Sequence, residues 1–314
     1  MIATLQSLRF VFVMLIFLSH FGYKEITPLD AGGDCGVAFF FLLSGYLLSI
    51  GYGKRISDGT FHFAAYMKRR IMKFYPLHLL CLVGILVISH SAIDLRVVLN
   101  VLLLQSWVPD SFYYFSCNSV SWFLSSLMFS YLVFPWVYRH QSRGLTACVL
   151  AGYVAVYLLT PYDKVNAILY VHPMVRFVDF YLGMQLARWQ VKIGKAEWAE
   201  WVEWVMVPLL LIAIVVYPGV DEKWRNAPLY WMVLLPFILV FAQQRGIISR
   251  LLKSRVMLWL GSVSMPFFLT HHVLIGILTR RLPDMPAGLM LAACLLIILV
   301  ISWGIQIILS RQLR

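Results

Sequence analysis

Ten apolar runs, each near the length a helix needs to cross a bilayer, dominate this 314-residue chain. A span takes about 20 predominantly apolar residues. The runs fall near residues 5–23, 36–53, 74–90, 120–138, 145–161, 168–188, 204–218, 228–243, 257–279 and 287–309. A backbone inside hydrocarbon has to satisfy its own hydrogen bonds, so such runs fold as helices. The expected fold is all-α: a polytopic integral membrane bundle of about ten transmembrane helices, with residues 1–314 as one transmembrane domain and no room for a separate soluble one. Composition agrees, at 61% hydrophobic and 13% charged residues with a mean hydropathy of +0.81. Soluble domains are far more polar. Asp94, Arg96, Pro109 and Asp110 bracket too few residues for a further span, so 95–108 is expected to form a short re-entrant or interfacial helix. The first run lacks a small-residue cleavage site, and Tyr23-Lys24-Glu25 suits one poorly, so it reads as a retained span. No internal repeat or low-complexity linker is evident.

The net charge of +12 carries the orientation. With the N-terminus inside, the inner segments collect 17 Lys and Arg, among them Lys54, Arg55, Lys68, Arg69, Arg70, Lys73, Lys195 and Arg314. The outer segments hold 7, including Lys24, Arg96, Lys164 and Arg280, with most of the acids; Arg9 and Arg176 lie within spans. Cations favour the cytoplasmic side, so both termini are expected there, in a multi-pass protein of the cell membrane. This also accounts for the basic balance without a nucleic-acid partner. The five cysteines, at 35, 81, 117, 148 and 294, show no metal-ligand spacing, and no metal is expected. Cys35 and Cys117 fall on one side of the bilayer, which leaves a disulfide geometrically open; unpaired apolar cysteines are the preferred reading.

Ionisable groups inside a span are costly and usually mark a pathway or a site. Arg9 and His20 stand eleven residues apart in the first run. At 100° per residue they project from one face, about 16 Å apart along the axis. A neutral imidazole is what a general base requires. The alternative is a helix-end histidine bonded to a neighbouring helix. Further polar groups share the depth of His20 or lie near mid-membrane: Ser121, Trp122, Ser125 and Ser126 in the fourth run, Arg176 and Asp179 in the sixth, Ser264, His271 and His272 in the ninth. The Arg176–Asp179 pair has the alternative of neutralising itself, and Ser264 of bonding back to its own helix. Their common depth points to a central cavity. The segment Phe61–Pro76 is basic and aromatic. Spacing alone favours an interfacial helix on anionic membrane lipid; the other reading is a phosphate clamp of Arg69, Arg70 and Lys73.

Several segments resemble, in order, those of the membrane-bound acyltransferase 3 family, whose members transfer acyl groups, commonly acetyl from acetyl-CoA, to sugars and other hydroxylated acceptors. Leu5-Gln6-Ser7-Leu8-Arg9-Phe10 followed by His20 is similar to the family's first-span Arg and His. Gly36 to Leu47 resembles its GVxxFFxxSGF segment, Arg69 to Pro76 its RRxxRxxP segment, and Ser121 to Ser125 its tryptophan motif. Arg176 with Phe180 to Gly183, and Leu260 to Ser264 through Leu269-Thr270-His271, resemble later landmarks. The likeness covers most of residues 5–272. Lys73 stands where the family usually has a second Arg, Ala38 at a position often acidic, Leu127 where many members have Glu, and Gln306 near a place where some carry Glu. A hydrolase-like domain found in some relatives has no counterpart here, which implies a stand-alone membrane unit.

The resemblance implies an O-acyltransferase that moves an acyl group, acetyl by family usage, from cytoplasmic acyl-CoA to a hydroxyl of a cell-surface or lipid-linked carbohydrate of the cell envelope. Arg9, Arg69, Arg70 and Lys73 would hold the acyl-CoA. His20 would act as general base, with an acyl-histidine as the competing route. Ser44, Trp122, Ser125, Arg176, Asp179 and His271 are the expected substrate-binding residues. The rival reading is a proton-coupled transporter or flippase of a sugar or lipid, which intramembrane charges and paired histidines equally suit.

Overall fold

The computed structural model describes residues 2–22, 32–90, 92–194, 196–226 and 228–312. Among them are ten long helices: α1 Ala3–His20, α2 Gly32–Ser57, α3 Phe63–Ser89, α4 Trp122–Arg139, α5 Arg143–Leu159, α6 Pro173–Ile193, α7 Ala199–Val216, α8 Pro228–Ala242, α9 Arg255–Arg281 and α10 Ala287–Gln312. Each expected span falls on one of them, and no strand occurs among the described residues. Eight segments, corresponding to α1–α4 and α7–α10, are long and apolar enough to cross a membrane. The 17-residue α5 is shorter, and the 21-residue α6 carries Arg176, Asp179, Arg188 and Lys192. Tyr23, Lys24, Lys195 and Arg314, which bear on the first span or the charge bias, lie outside the described residues.

Helix lengths differ from the hydropathy reading in one way that matters. The third span does not start at Phe74 but at Phe63, so Arg69, Arg70 and Lys73 belong to the first three turns of a continuous 27-residue helix. Spacing favours an interfacial helix leading into the third span; in the fold the cations stand on the same continuous helix as that span. Five proline residues sit inside long helices, at 76, 135, 208, 236 and 266. Neighbouring helices make this tolerable in a membrane bundle. All five cysteines are free, so no Cys35–Cys117 disulfide forms.

Two close helix contacts set the frame. Gly45 of α2 faces Gly183 of α6: a Cβ on Gly45 would strike the Phe180 carbonyl oxygen, and one on Gly183 the Leu42 carbonyl oxygen. Gly261 of α9 meets the α1 backbone in the same way, at the Gln6 carbonyl. Lipid tails are as apolar as leucine, so helices in a bilayer gain most where small residues let backbones touch. Buried hydroxyls add cross-links, Thr4 Oγ1 donating to the Phe241 carbonyl and Ser7 Oγ to that of Leu252, each at 2.5 Å.

The region between α3 and α4 holds a short helix, as its length predicts, and no further long one among the described residues. A seven-residue helix, Leu95–Val101, is capped by Asp94, which accepts from the amides of Arg96 and Val97. A polar network then ties it down. Asn100 Nδ2 donates to Ser116 Oγ at 2.8 Å, Ser121 Oγ to Asn100 Oδ1 at 2.9 Å, and Ser125 Oγ to the Leu103 carbonyl at 2.7 Å. These bonds fix the turn Ser119–Ser121 from which α4 and Trp122 begin.

Candidate active site

Two cavities lie along α1. The first, about 190 Å³, is lined by Arg9, Ser44, Tyr52, Arg70, Lys73, Tyr131 and Ser264, with Phe40, Leu43, Leu124, Leu127 and Met265 among its apolar walls. Among the described residues Arg9 Nη1 donates to Gln6 Oε1, at 3.3 Å. The Arg70 guanidinium lies over the rings of Tyr52, Tyr66 and Tyr131 at 5.6–6.0 Å, and its buried Nε has no partner. Among the described residues no carboxylate pairs with Arg9, Arg70 or Lys73. Three cations without an acid around one hollow make a binding place for an anion.

The second cavity, about 280 Å³, is lined by Ser19, His20, Asp34, Ser119, Trp122 and Tyr170, with Ile16, Val37, Phe115 and Val120. His20 presents its exposed surface to this hollow. Its Nδ1 lies 2.8 Å from the Ile16 carbonyl oxygen, and a carbonyl only accepts, so that nitrogen carries the proton. Nε2 is left with the lone pair. His271 is fully buried; its Nδ1 donates to the Phe268 carbonyl at 2.6 Å, which leaves its Nε2 as an acceptor 3.3 Å from His20 Nδ1. The two assignments are consistent: the single His20 Nδ1 proton goes to the Ile16 carbonyl and is shared, at the longer distance, with His271 Nε2. His272, its ring centroid 5.5 Å from that of His20, bonds Ser119 Oγ through Nε2 at 3.1 Å. Among the described residues no group of side chains suits a metal ion.

Phe123 of α4 and Phe268 of α9 line both cavities. Their rings meet edge to face, centroids 5.3 Å apart. Arg9 therefore serves one hollow and His20 the other, on one side of α1, with an aromatic pair as the common wall. The sequence pattern implies one continuous pocket; the structure has two that abut.

Residues 2–307 match the family described as an acyltransferase domain. The chain belongs to the acyltransferase 3 family. It is also similar to acyltransferase MdmB of Streptomyces mycarofaciens, with 26% identity over 313 aligned positions that cover 87% of this chain and 78% of that one. Protein 2 in the picA locus of Rhizobium radiobacter is 34% identical over 71 residues, 22% of this chain and 37% of that protein. No solved structure matches. This multi-pass membrane acyltransferase is thus an enzyme, and the transporter reading falls.

Within this acyltransferase the expected site residues separate into three sets. Arg9, Arg70, Lys73 and Ser44 share the first cavity; His20 and Trp122 share the second, with His271 behind His20. Arg69 is exposed and lines neither. Ser125, Arg176 and Asp179 also line neither. Ser125 holds the stretch between α3 and α4, and Ser264, although on the first cavity, bonds back to the Gly261 carbonyl of its own helix at 2.8 Å. Arg176 Nη1 meets Asp179 Oδ2 at 2.8 Å, while Trp231 Nε1 donates to the other carboxylate oxygen. Arg176 Nε also donates to the Tyr170 carbonyl and its guanidinium covers the Tyr170 ring at 4.8 Å. The pair thereby holds Tyr170, whose ring lies 4.8 Å from that of Trp122, in the wall of the second cavity.

Asp34, Tyr131 and Tyr170 do not stand out in the sequence. Asp34 sits two residues ahead of the Gly36–Leu47 motif, in the first turn of α2, and lines the histidine cavity. Leu127, a position where the resemblance implies Glu in many members, lines the cationic cavity as an apolar side chain and offers the three cations no counter-charge.

Proposed function

We propose that this acyltransferase moves an acyl group, acetyl in the simplest case, from cytoplasmic acyl-CoA to a hydroxyl of a cell-surface or lipid-linked carbohydrate. What carries the reading is the abutting of two cavities of opposite chemistry, one cationic and one holding a basic imidazole nitrogen. Acyl-CoA is an anion with a long flexible arm. The unpaired cations Arg9, Arg70 and Lys73 and the apolar walls beside them suit its phosphates and its arm. The positive-inside bias supports a cytoplasmic approach to that cavity, with the histidine cavity facing the opposite side. Trp122, Asp34 and Ser119 offer the flat apolar ring and polar groups that a sugar uses.

In the reaction, His20 Nε2 takes the proton of the acceptor hydroxyl as its oxygen attacks the thioester carbonyl carbon. The new C–O bond forms, the C–S bond breaks, and the departing CoA thiolate receives the proton from the imidazolium. Donation from His20 Nδ1 to His271 Nε2 and the Ile16 carbonyl steadies that imidazolium. The test is purified protein in detergent given radiolabelled acetyl-CoA and a glycoside acceptor. His20→Ala is expected to lower transfer by about 10²–10⁴-fold while the variant still inserts into membrane. Wild-type rates in that variant would sink the proposal, as would failure of the wild type to consume acetyl-CoA.

A further inference from the structure

Asp34 is a carboxylate that takes no part in the proton transfer above. It is half-buried in the wall of the histidine cavity. Gly33, the residue before it, packs so closely on Ser19 that a Cβ would collide with that hydroxyl, which brings the first turn of α2 onto the last turn of α1 beside His20. The Tyr217 hydroxyl donates to Asp34 Oδ2, and Tyr170 lines the same hollow beside it. Among the described residues no Lys or Arg forms an ion pair with it. An ionised carboxylate has about four lone-pair sites. The Tyr217 phenol therefore orients the group and leaves acceptor capacity on a carboxylate that lines the hollow. Trp122 supplies a flat ring in the same wall, braced on Tyr170.

We propose that Asp34 anchors the acceptor by taking hydrogen bonds from hydroxyls neighbouring the one that is acylated, so that the cavity selects a pyranoside-like polyol stacked on Trp122. The assignment rests on the functional reading above for what happens next, but the binding itself needs no donor. A site built to accept from a hydroxyl strongly rejects an analogue lacking it, because its own buried polar group is then left unpaired.

The experiment uses the full chain in detergent micelles, titrated with methyl α-D-glucopyranoside and its 2-, 3- and 4-deoxy forms, without donor. Binding is read by calorimetry and by tryptophan emission, with Trp122→Phe assigning the optical signal. Asp34→Asn is expected to weaken the parent glycoside by about tenfold to a hundredfold and to flatten the preference over the deoxy forms. Tyr217→Phe, which keeps the carboxylate but frees it from one phenol, is expected to weaken it by about threefold. With acetyl-CoA added, Asp34→Asn is expected to raise the glycoside KM and leave the acetyl-CoA KM unchanged. Wild-type affinity in both variants, or no saturable binding to the wild type, overturns the anchor. Should Asp34→Asn not fold, the Tyr217→Phe result decides. Lost binding in the variants alongside a wild type that consumes no acetyl-CoA keeps the anchor and removes the donor reading; unchanged binding alongside normal turnover does the reverse.

Discussion

A histidine that has given its Nδ1 proton to a fixed acceptor has only Nε2 left for chemistry, and that is the state of His20. His271 has no surface on either cavity but lies against His20 Nδ1, the nitrogen that the proposed reaction does not use. In that reaction it is a positioning residue. His271→Phe is expected to lower kcat by about tenfold or more while both KM values hold, because ground-state binding does not involve it. His271→Gln, which retains an acceptor oxygen, is expected to recover part of the loss. Equal damage in both variants would mean that the site merely needs the ring volume. His20 was legible in the sequence, because an ionisable group in an apolar run, set at a helical interval from Arg9, is costly unless it serves a site. The function of His271 was not, since it depends on which carbonyl its Nδ1 meets. Asp34 was invisible for a related reason: its neighbours Tyr170 and Tyr217 are far away in sequence.

At the scale of helices, the segments that carried the resemblance divide between chemistry and packing. Gly45, Gly183 and Gly261 belong to three of them and line neither cavity; they let α2 meet α6 and α1 meet α9. Gly45→Ala and Gly183→Ala are each expected to destabilise by about 1–3 kcal/mol, the range for overpacking. Their effects should be non-additive, since both act on one contact. Gly51→Ala, in open space on the same helix, is expected to be neutral; thermal unfolding in micelles separates these outcomes. The hydropathy pattern revealed the helices, yet their ends escaped it: α3 begins eleven residues before Phe74 because basic side chains tolerate the membrane edge. The stretch between α3 and α4 offers a pH prediction. Hydrogen bonding to Arg96, and secondarily the amides of Arg96 and Val97, hold the Asp94 carboxyl below its usual range. A depressed carboxylate contributes stability above its unfolded value of about 3.9 and loses it as pH falls through the folded one. The difference in unfolding temperature between wild type and Asp94→Ala is therefore expected at neutral pH and should vanish in acid below both values.

For the molecule as a whole, the question is how a reaction joins two hollows that meet only at a wall. Positive-inside counting and the Arg9–His20 interval point to one passage, because a sequence reports which polar groups share a helix face but not which aromatic rings stand between them. Phe123 is held by Phe41 at 4.7 Å and Phe40 at 6.3 Å, and Phe268 sits one turn from His271, which bonds its carbonyl. The pair thus stands on α4 and α9, apart from α1 and α3, which carry His20 and the three cations, while α9 also carries His271. In the proposed reaction a thioester passing these rings would be shielded from water on the histidine side until an acceptor fills that cavity. Phe268→Ala removes one leaf. It is expected to cost about 3–5 kcal/mol of stability from lost packing, which detergent unfolding will register, and to raise acceptor-independent release of CoA thiol relative to ester formation. The comparison is made in one assay, free thiol against labelled glycoside, so that a general loss of folded enzyme cancels in the ratio. A ratio equal to that of the wild type would mean that water already has access to the thioester, and the two phenylalanines would then be packing alone.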